Sequence, residues 1–384
     1  MDFNLSKEQE QICRIIREES RKVLNDNIFE DDKESIFPTR KWQICSQLGI
    51  QGLPVPREYG GAGMDLLTTA LAIQHLAYVC KDEGLVFSIC AHLCTVAIPL
   101  WKHGTDMQKN EFLTKIATGE YIGANAITET GAGSDPAGML TTAQKNDQTY
   151  TLNGTKLFVT NAPVSDLLVI YARHPNGMKM MDISAFLVLK DNAGLRIGQD
   201  FEKMGLRTSA MSEVVLTDCI VPFEMLLGRE RWGMAIFTEA MFWERIVMSA
   251  YHIGAMEQQY NMASQYANSR KQFGEKIIQF SAVSDRLIKM KMRIETARLF
   301  LYKTCWKYDT TGKRNMADAS MLKLLVSDAR VKSSLDAVQI LGAYGYMKEN
   351  DAEKQLRDSI ASKIYSGTSE IQKKIIAEEL RERV

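Results

Sequence analysis

Net charge is the first thing this sequence does without: 47 Lys and Arg residues offset 47 Asp and Glu residues, and the two signs are interspersed. No basic stripe is available to nucleic acid, and no polybasic run to a membrane surface. Histidine is scarce, and the 5 present form no cluster with metal-ligand spacing. The 7 cysteines (Cys13, Cys45, Cys80, Cys90, Cys94, Cys219, Cys305) are odd in number, scattered, and include no C-x-x-C pair. That pattern argues against a metal site and against a disulfide framework. Cys90 and Cys94 fall at helical spacing in an apolar stretch, where a free thiol behaves as a small hydrophobe. The first residues, Met1-Asp2-Phe3-Asn4, lack the charged and apolar regions of a secretory leader. No apolar run approaches the length of a membrane span. The expected location is the cytoplasm, with neither nucleic acid nor membrane as a partner.

What is present is an ordinary globular composition, 45% apolar and 24% charged, in a chain too long for one simple core. Ile12, Ile15 and Ile16 lie at helical spacing among many charges, and residues 64–102 form longer apolar helical stretches. A loop of Gly and Pro at 52–63 separates them. The texture changes near 121, where short β-rich runs alternate with turn residues. Asn153-Gly154 within Tyr150–Lys156 predicts a hairpin with a type I′ turn. Residues 167–171, 183–188 and 214–216 read as further strands, and Pro222 and Gly228 mark the exit. Helical periodicity returns over 233–268, 281–309, 316–340 and 369–382. The order predicts an α+β fold: an N-terminal α-helical domain (1–120), a middle β domain (121–230) and a C-terminal α-helical domain (231–384).

Several motifs occur in register with this order. They are Gly49–Leu53 with Glu58-Tyr59-Gly60-Gly61, Gly104-Thr105 with Gln108-Lys109 and Leu113, and Thr128-Glu129-Thr130-Gly131-Ala132-Gly133-Ser134-Asp135. Lys203-Met204-Gly205 with Arg207 and Ser209, Arg270–Gly274, and Gln339–Gly342 with Gly345-Tyr346 follow. The C-terminal stretch is Ile364-Tyr365-Ser366-Gly367-Thr368-Ser369-Glu370. Together they resemble the acyl-CoA dehydrogenase family across essentially the whole chain. The resemblance implies FAD as cofactor and oxidation of an acyl thioester. A carboxylate removes the α-proton while hydride leaves to flavin N5.

Gly131-Ala132-Gly133 is not a dinucleotide fingerprint, because Asp135-Pro136 follows where a third glycine is needed and the surroundings are β-rich. On the residues alone it is a tight turn. The resemblance places Ile127, Thr128, Gly133 and Ser134 at the flavin and the pantetheine arm. It places Phe158 on the isoalloxazine and Thr160 in a hydrogen bond to it; Phe158 keeps a stacking face but lacks the N–H of the commoner Trp. Arg270 is the implied partner of the pyrophosphate, with Gln272 and Phe273 beside the adenosine. In the family these contacts, and those of Gln339 and Gly342, come from a neighbouring subunit, which implies a homo-oligomer built as a dimer of dimers. Thr368 and Glu370 complete the implied flavin contacts, and Gly367-Thr368-Ser369 also suits a helix cap.

Most family members carry the catalytic base where this chain has Ser366. A serine with no evident partner is a poor base, but its backbone N–H can still polarise a thioester carbonyl. In a minority the base precedes an Arg on an earlier helix, and here Phe242-Trp243-Glu244-Arg245 makes Glu244 the candidate. The local pattern agrees. Glu244 shares a helical stripe with Phe237, Ala240, Met241, Val247, Met248, Tyr251 and Ala255. A carboxylate there must be paired or functional, and desolvation would raise its pKa toward a working base.

The Trp-Glu-Arg motif, the Tyr-Ser-Gly-Thr ending, Phe87–Cys94 and Asn161-Ala162-Pro163 resemble a biosynthetic branch of the family. Its members oxidise L-prolyl held as a thioester on a peptidyl carrier protein. Ser134 and Arg245 are then expected at the phosphopantetheine arm. Tyr365, with bulky Phe242 and Trp243, is expected to keep the acyl pocket small. The alternatives are a short- or branched-chain acyl-CoA dehydrogenase using electron-transfer flavoprotein, and a non-catalytic flavoprotein that binds a carrier. The flavin's reoxidant is either O2 or a protein.

Overall fold

The computed structural model describes residues 4–175 and 179–382. Met1–Phe3, part of the segment read above for a leader, lies outside the described residues. Helices occupy the chain to Ala117, strands run from Gly123 to Leu227, and long helices resume at Gly233. The last block consists chiefly of Gly233–Ser269, Ser281–Thr311, Met316–Leu341 and Ser369–Glu382, each within two or three residues of the periodicity-based bounds. The strands are β1 (Gly123–Ala126), β2 (Thr142–Lys145), β3 (Thr149–Thr160), β4 (Leu167–Arg173), β5 (Ile183–Leu189), β6 (Leu195–Asp200), β7 (Met211–Pro222) and β8 (Leu226–Leu227). They form one mixed sheet in the order β6-β7-β3-β2-β4-β5-β8, with β1 added parallel to β4.

Two sequence expectations fail here. Asn153-Gly154 does not turn the chain: β3 runs straight through it, pairing with β2 and β7, with a register shift between Leu152 and Gly154. Gly154 has φ +153°, and a Cβ there would stand 2.4 Å from Thr141 Oγ1. The glycine therefore serves a bulge and a close approach rather than a hairpin turn. The second concerns apolar length. The continuous helical stretch Glu83–His103 is long and apolar enough to cross a membrane, but its apolar window is 94% buried inside the fold. It is a core helix, apolar all round because protein surrounds it.

The two helical blocks share one core. Ile16, Trp42, Ile73 and Ile89 from the first pack in the same cluster as Tyr251, Leu301 and Val326 from the second. The helix Leu66–Val79 lies so close to Gly233–Ser269 that a Cβ on Gly254 would meet the Gln74 carbonyl at 2.1 Å. The segment 203–209 ties the sheet to both blocks. Thr208 Oγ1 donates to Asp82 (2.5 Å), Ser88 and Ser209 hydroxyls bond at 2.7 Å, and Leu206 N–H donates to Asp358 (2.5 Å). The segment that precedes β7 is thereby held against the start of the Glu83–His103 stretch and against the Asp351–Ile360 helix.

Candidate active site

Glu244 lies in the N-terminal third of the Gly233–Ser269 helix, within residues 239–256, which are buried with no exposed break. The single apolar stripe expected from periodicity is in fact burial on every side, because helices Leu66–Val79 and Met316–Leu341 flank this helix. Its carboxyl is 7% exposed and forms no ion pair among the described residues. Burial pushes its pKa up to about 7; the Ser366 hydroxyl, then Arg245 and Lys323, pull the other way. The Ser366 hydroxyl is close enough to act on the carboxyl electrostatically, yet it makes no hydrogen bond of regular geometry. The proximity carries the argument, since a small rotation of a hydroxyl suffices to form the bond. Burial also lowers Arg245 to about 10 and Lys323 to about 8.

Ser366 sits in a left-handed turn with Gly367, at φ +54° and +89°. For serine this conformation is strained by about 1 kcal/mol. Three side chains fix it. Arg245 Nε and Gln372 Nε2 donate to the Ser366 carbonyl at 3.2 and 2.9 Å, and Lys323 Nζ donates to the Gly367 carbonyl at 2.7 Å. The Ser366 N–H is taken by no backbone acceptor among the described residues. Arg245 also donates to Ser320 Oγ at 3.2 Å and is buried. It thus braces the turn rather than reaching toward open space, which departs from its expected place at the pantetheine arm.

The walls around Glu244 are only partly those expected. Phe242 and Trp243 pack on Tyr308, with ring centroids at 5.0 and 5.8 Å, and face the Ser281–Thr311 helix. The ring that meets Tyr365 is Phe87, at 4.8 Å. Cys90 and Cys94 are buried as read, and both lie within electrostatic reach of Glu244, as do Tyr171 and Tyr365. The Tyr365 hydroxyl shares a short hydrogen bond with His252 Nε2. His252, Lys323, Gln372 and Phe87 were not identified as site residues by sequence. His252 had a visible signal: a rare histidine roughly two helical turns beyond Glu244 in an apolar run.

The residues expected at the flavin converge on the sheet. Leu157 N–H donates to the Thr128 carbonyl at 2.8 Å, which sets Thr128 beside Phe158 and Thr160. Beneath them, Lys156 Nζ donates to the Ile127 carbonyl (3.2 Å) and to Glu129 (2.7 Å). Glu129 also accepts from Leu140 N–H, Thr141 N–H and Thr141 Oγ1. Ile127 is buried and offers its backbone, whereas Ser134 is exposed. Phe158 is 60% exposed at φ +56°, a large ring displayed at the expense of strain. A Cβ added at Gly131 or Gly133 would meet nothing within 4 Å. An open aromatic face, two half-exposed hydroxyls and space over the glycine turn suit a flat heteroaromatic ring, so these residues fit FAD. Thr368 Oγ1 caps the last helix by accepting from Ile371 N–H at 3.4 Å, and exposed Glu370 has its pKa lowered, first by its own backbone N–H.

The remaining candidates stand apart. Arg270 ends the Gly233–Ser269 helix, and Lys271-Gln272 pairs with Glu275-Lys276 in a small hairpin. At its tip Phe273 is 95% exposed at φ +52°, followed by Gly274 at +86°, which is the two-residue turn with both φ positive. Gln339 and Gly342 are also exposed.

The chain matches the N-terminal, middle and C-terminal domains of acyl-CoA dehydrogenase over residues 6–120, 124–219 and 231–381. It is 40% identical over 380 residues to an L-prolyl-[peptidyl-carrier protein] dehydrogenase of Serratia sp. (strain ATCC 39006), covering 99% of this chain and 98% of that protein. It is 36% identical to a short-chain specific acyl-CoA dehydrogenase of Clostridium acetobutylicum, covering 98% and 99%. The solved structure of PigA with FAD and proline superposes with a TM-score of 0.97 at 40% identity, covering 100% of both chains. With all three domains matched in order, this protein belongs to the acyl-CoA dehydrogenase family.

Proposed function

We propose that the protein oxidises an L-prolyl group held as a thioester on a peptidyl carrier protein, with Glu244 as the base. The observation that carries this reading is the convergence of Glu244 and Ser366. The carboxyl has moved to the helix, its pKa is about 7, and it lies beside the turn where most relatives keep their base. The substrate assignment is supported by full-length likeness to the Serratia prolyl-carrier enzyme and to PigA.

FAD, when bound, supplies the hydride acceptor. Thr128, Phe158, Thr160 and the backbone of Ile127 and Gly133 would hold its ring, with Thr368 and Glu370 of the C-terminal turn completing the site. Glu244 takes the α-proton; its raised pKa keeps proton affinity high while it remains largely ionised just above neutrality. Ser366 N–H polarises the thioester carbonyl, and Arg245, Gln372 and Lys323 fix the turn that aims it. Arg245 is therefore a positioning residue, and Ser134 remains for the pantetheine arm. Phe87 and Tyr365 limit the depth of the acyl pocket.

Arg270, Gln272 and Phe273, with Gln339 and Gly342, are proposed to complete the FAD site of a second copy of the chain in a dimer of dimers. The exposure of the Phe273 ring, which meets only the edge of Phe280 among the described rings, supports this. O2 or an electron-transfer flavoprotein is proposed as the electron acceptor, and a cytoplasmic location is part of the same proposal. A second reading, a short-chain acyl-CoA dehydrogenase, is favoured by the Clostridium relative. Anaerobic flavin reduction with prolyl-loaded carrier against a panel of acyl-CoAs, followed by product mass, separates the two. Bleaching by butyryl-CoA but not by prolyl-carrier would overturn the first.

A further inference from the structure

The amide that must reach the thioester is the Ser366 N–H, and it belongs to the planar peptide unit joining Tyr365 to Ser366. Arg245, Gln372 and Lys323 do not hold that unit. They donate to the carbonyls of Ser366 and Gly367, which belong to the next two units. Among the described residues the Ser366 N–H has no acceptor and the Tyr365 carbonyl no donor. A peptide unit without hydrogen bonds at either end, entering a turn at φ +54°, takes its tilt from the side chain nearest to it. That side chain is Tyr365.

Tyr365 is held on two sides. Its ring meets Phe87, with centroids 4.8 Å apart, and its hydroxyl shares a hydrogen bond with His252 Nε2. His252 lies on the Gly233–Ser269 helix, roughly two turns beyond Glu244, and is 3% exposed. Its ring is nearly parallel to that of Tyr365, at 18°, and packs on Tyr251 with centroids 4.3 Å apart. The Tyr251 hydroxyl donates to Glu83 at 2.5 Å, and Glu83 also accepts from Arg330 at 2.5 Å. Glu83 opens the helix that carries Phe87. The two groups that flank Tyr365 are therefore tied to each other, and one of them rides on the helix of the base.

We infer that His252 is a positioning residue: through the Tyr365 hydroxyl it sets the tilt of the Tyr365–Ser366 peptide and so aims the Ser366 N–H at the thioester carbonyl. This rests on the reading of the site as a thioester oxidase with Glu244 as base and the Ser366 N–H as donor. It requires no contact between His252 and the acyl group. Without the bond the phenol can swing and the amide with it, and a donor off line stabilises developing charge less well. Binding of the thioester, spread along its arm, is little affected.

The test compares FAD-loaded wild type, His252→Leu, His252→Gln, Tyr365→Phe and the His252→Leu, Tyr365→Phe double variant. Anaerobic flavin reduction by prolyl-loaded carrier gives a limiting rate and a half-saturation concentration. In a Glu244→Gln background, infrared difference spectra of an isotopically labelled thioester carbonyl read its polarisation directly. The limiting rate should fall about tenfold in His252→Leu and in Tyr365→Phe, with half-saturation changed by less than about twofold. The double variant should fall no further than the worse single, because both lose the same bond. His252→Gln, which keeps a hydrogen-bonding group, should recover most of the rate. The carbonyl stretch should move back toward its value in the free carrier in both single variants.

A lower rate with an unshifted carbonyl stretch is what a merely structural lesion gives, and it overturns the assignment. Unmoved rates, or losses that multiply in the double variant, do the same. Flavin absorbance reports folding; if His252→Leu loses FAD, Tyr365→Phe, which keeps the ring for Phe87, decides. Failure of the underlying reading looks different. Glu244→Gln would still turn over, or wild type would be bleached by butyryl-carrier and not by prolyl-carrier, and butyryl-carrier then serves the same comparison.

Discussion

Glu244 and Glu129 expose similar small areas, 7% and 8%, although Glu244 lies deeper in the protein, and their pKa values are pushed in opposite directions. Burial is the largest influence on both and raises both. At Glu129 it is overcome by Lys156 Nζ at 2.7 Å and by donors from Leu140 and Thr141. At Glu244 the cations are turned elsewhere, Arg245 to the Ser366 carbonyl and Lys323 to the Gly367 carbonyl. A buried carboxylate with its hydrogen bonds satisfied is a structural strut. One whose neighbours are spent on the backbone is available for proton transfer. The contrast teaches that burial alone does not mark a base; the direction in which nearby cations donate does.

The most severe way to test this contrast is Glu244→Gln. It should retain FAD and lose turnover by about a thousandfold, roughly 4 kcal/mol of barrier, read by anaerobic flavin reduction. Unchanged turnover would remove Glu244 from the chemistry. Glu129→Gln should do the reverse of a catalytic lesion. It leaves Lys156 buried without its counter-ion and lowers stability by about 3–5 kcal/mol, measured by urea unfolding.

The pH dependences should also oppose each other. Folded Glu244 keeps its proton to about pH 7, against 4.5 for the ordinary group. Between those values the folded state binds more protons than the unfolded one, so its stability falls as pH rises through the window. The full drop is about 3 kcal/mol. Glu244→Gln should therefore be more stable than wild type at pH 8 and similar near pH 4, offset in part by what Arg245 and Lys323 lose. Glu129 is held below its ordinary value, so its contribution is present above pH 4.5 and lost as pH falls through the folded value. Thermal melts of both variants across this range would decide; parallel curves would erase the contrast. For turnover, kcat/KM should climb tenfold per pH unit below about pH 7 and then level.

Two smaller effects refine the picture. Arg270→Ala should weaken FAD retention on dilution by roughly tenfold, while leaving the Glu244 pH midpoint alone. Ser366→Ala removes a hydroxyl that lowers the Glu244 pKa but keeps the backbone N–H. Turnover at high pH should change little, and the pH midpoint should move up. A downward shift would show that the hydroxyl does not act on the carboxyl.

Much of this was readable from local pattern. The long helices from Gly233 onward and strands β4 and β5 fall where periodicity put them, because such runs carry their own amphipathic or β-branched signature. Asn153-Gly154 misled because a dipeptide that permits a turn does not require one; Thr141 and the neighbouring strands supplied the competing demand. The apolar length of Glu83–His103 was missed because Ser88, His92 and Thr95 interrupt the run of apolar letters without ending the buried helix.

The candidate base was also legible, through Glu244-Arg245 and the serine at 366. Its electrostatics were not. Whether Arg245 would pair with Glu244 or brace a turn more than a hundred residues later depends on which carbonyl lies within reach of its Nε, and that is set by packing between distant helices. The same holds for Phe87 meeting Tyr365 while Phe242 and Trp243 turn to Tyr308, and for His252 meeting Tyr365. Residue type and spacing declare which groups can do chemistry. Side-chain direction and partner choice arise from contacts remote in sequence, where local pattern carries no information.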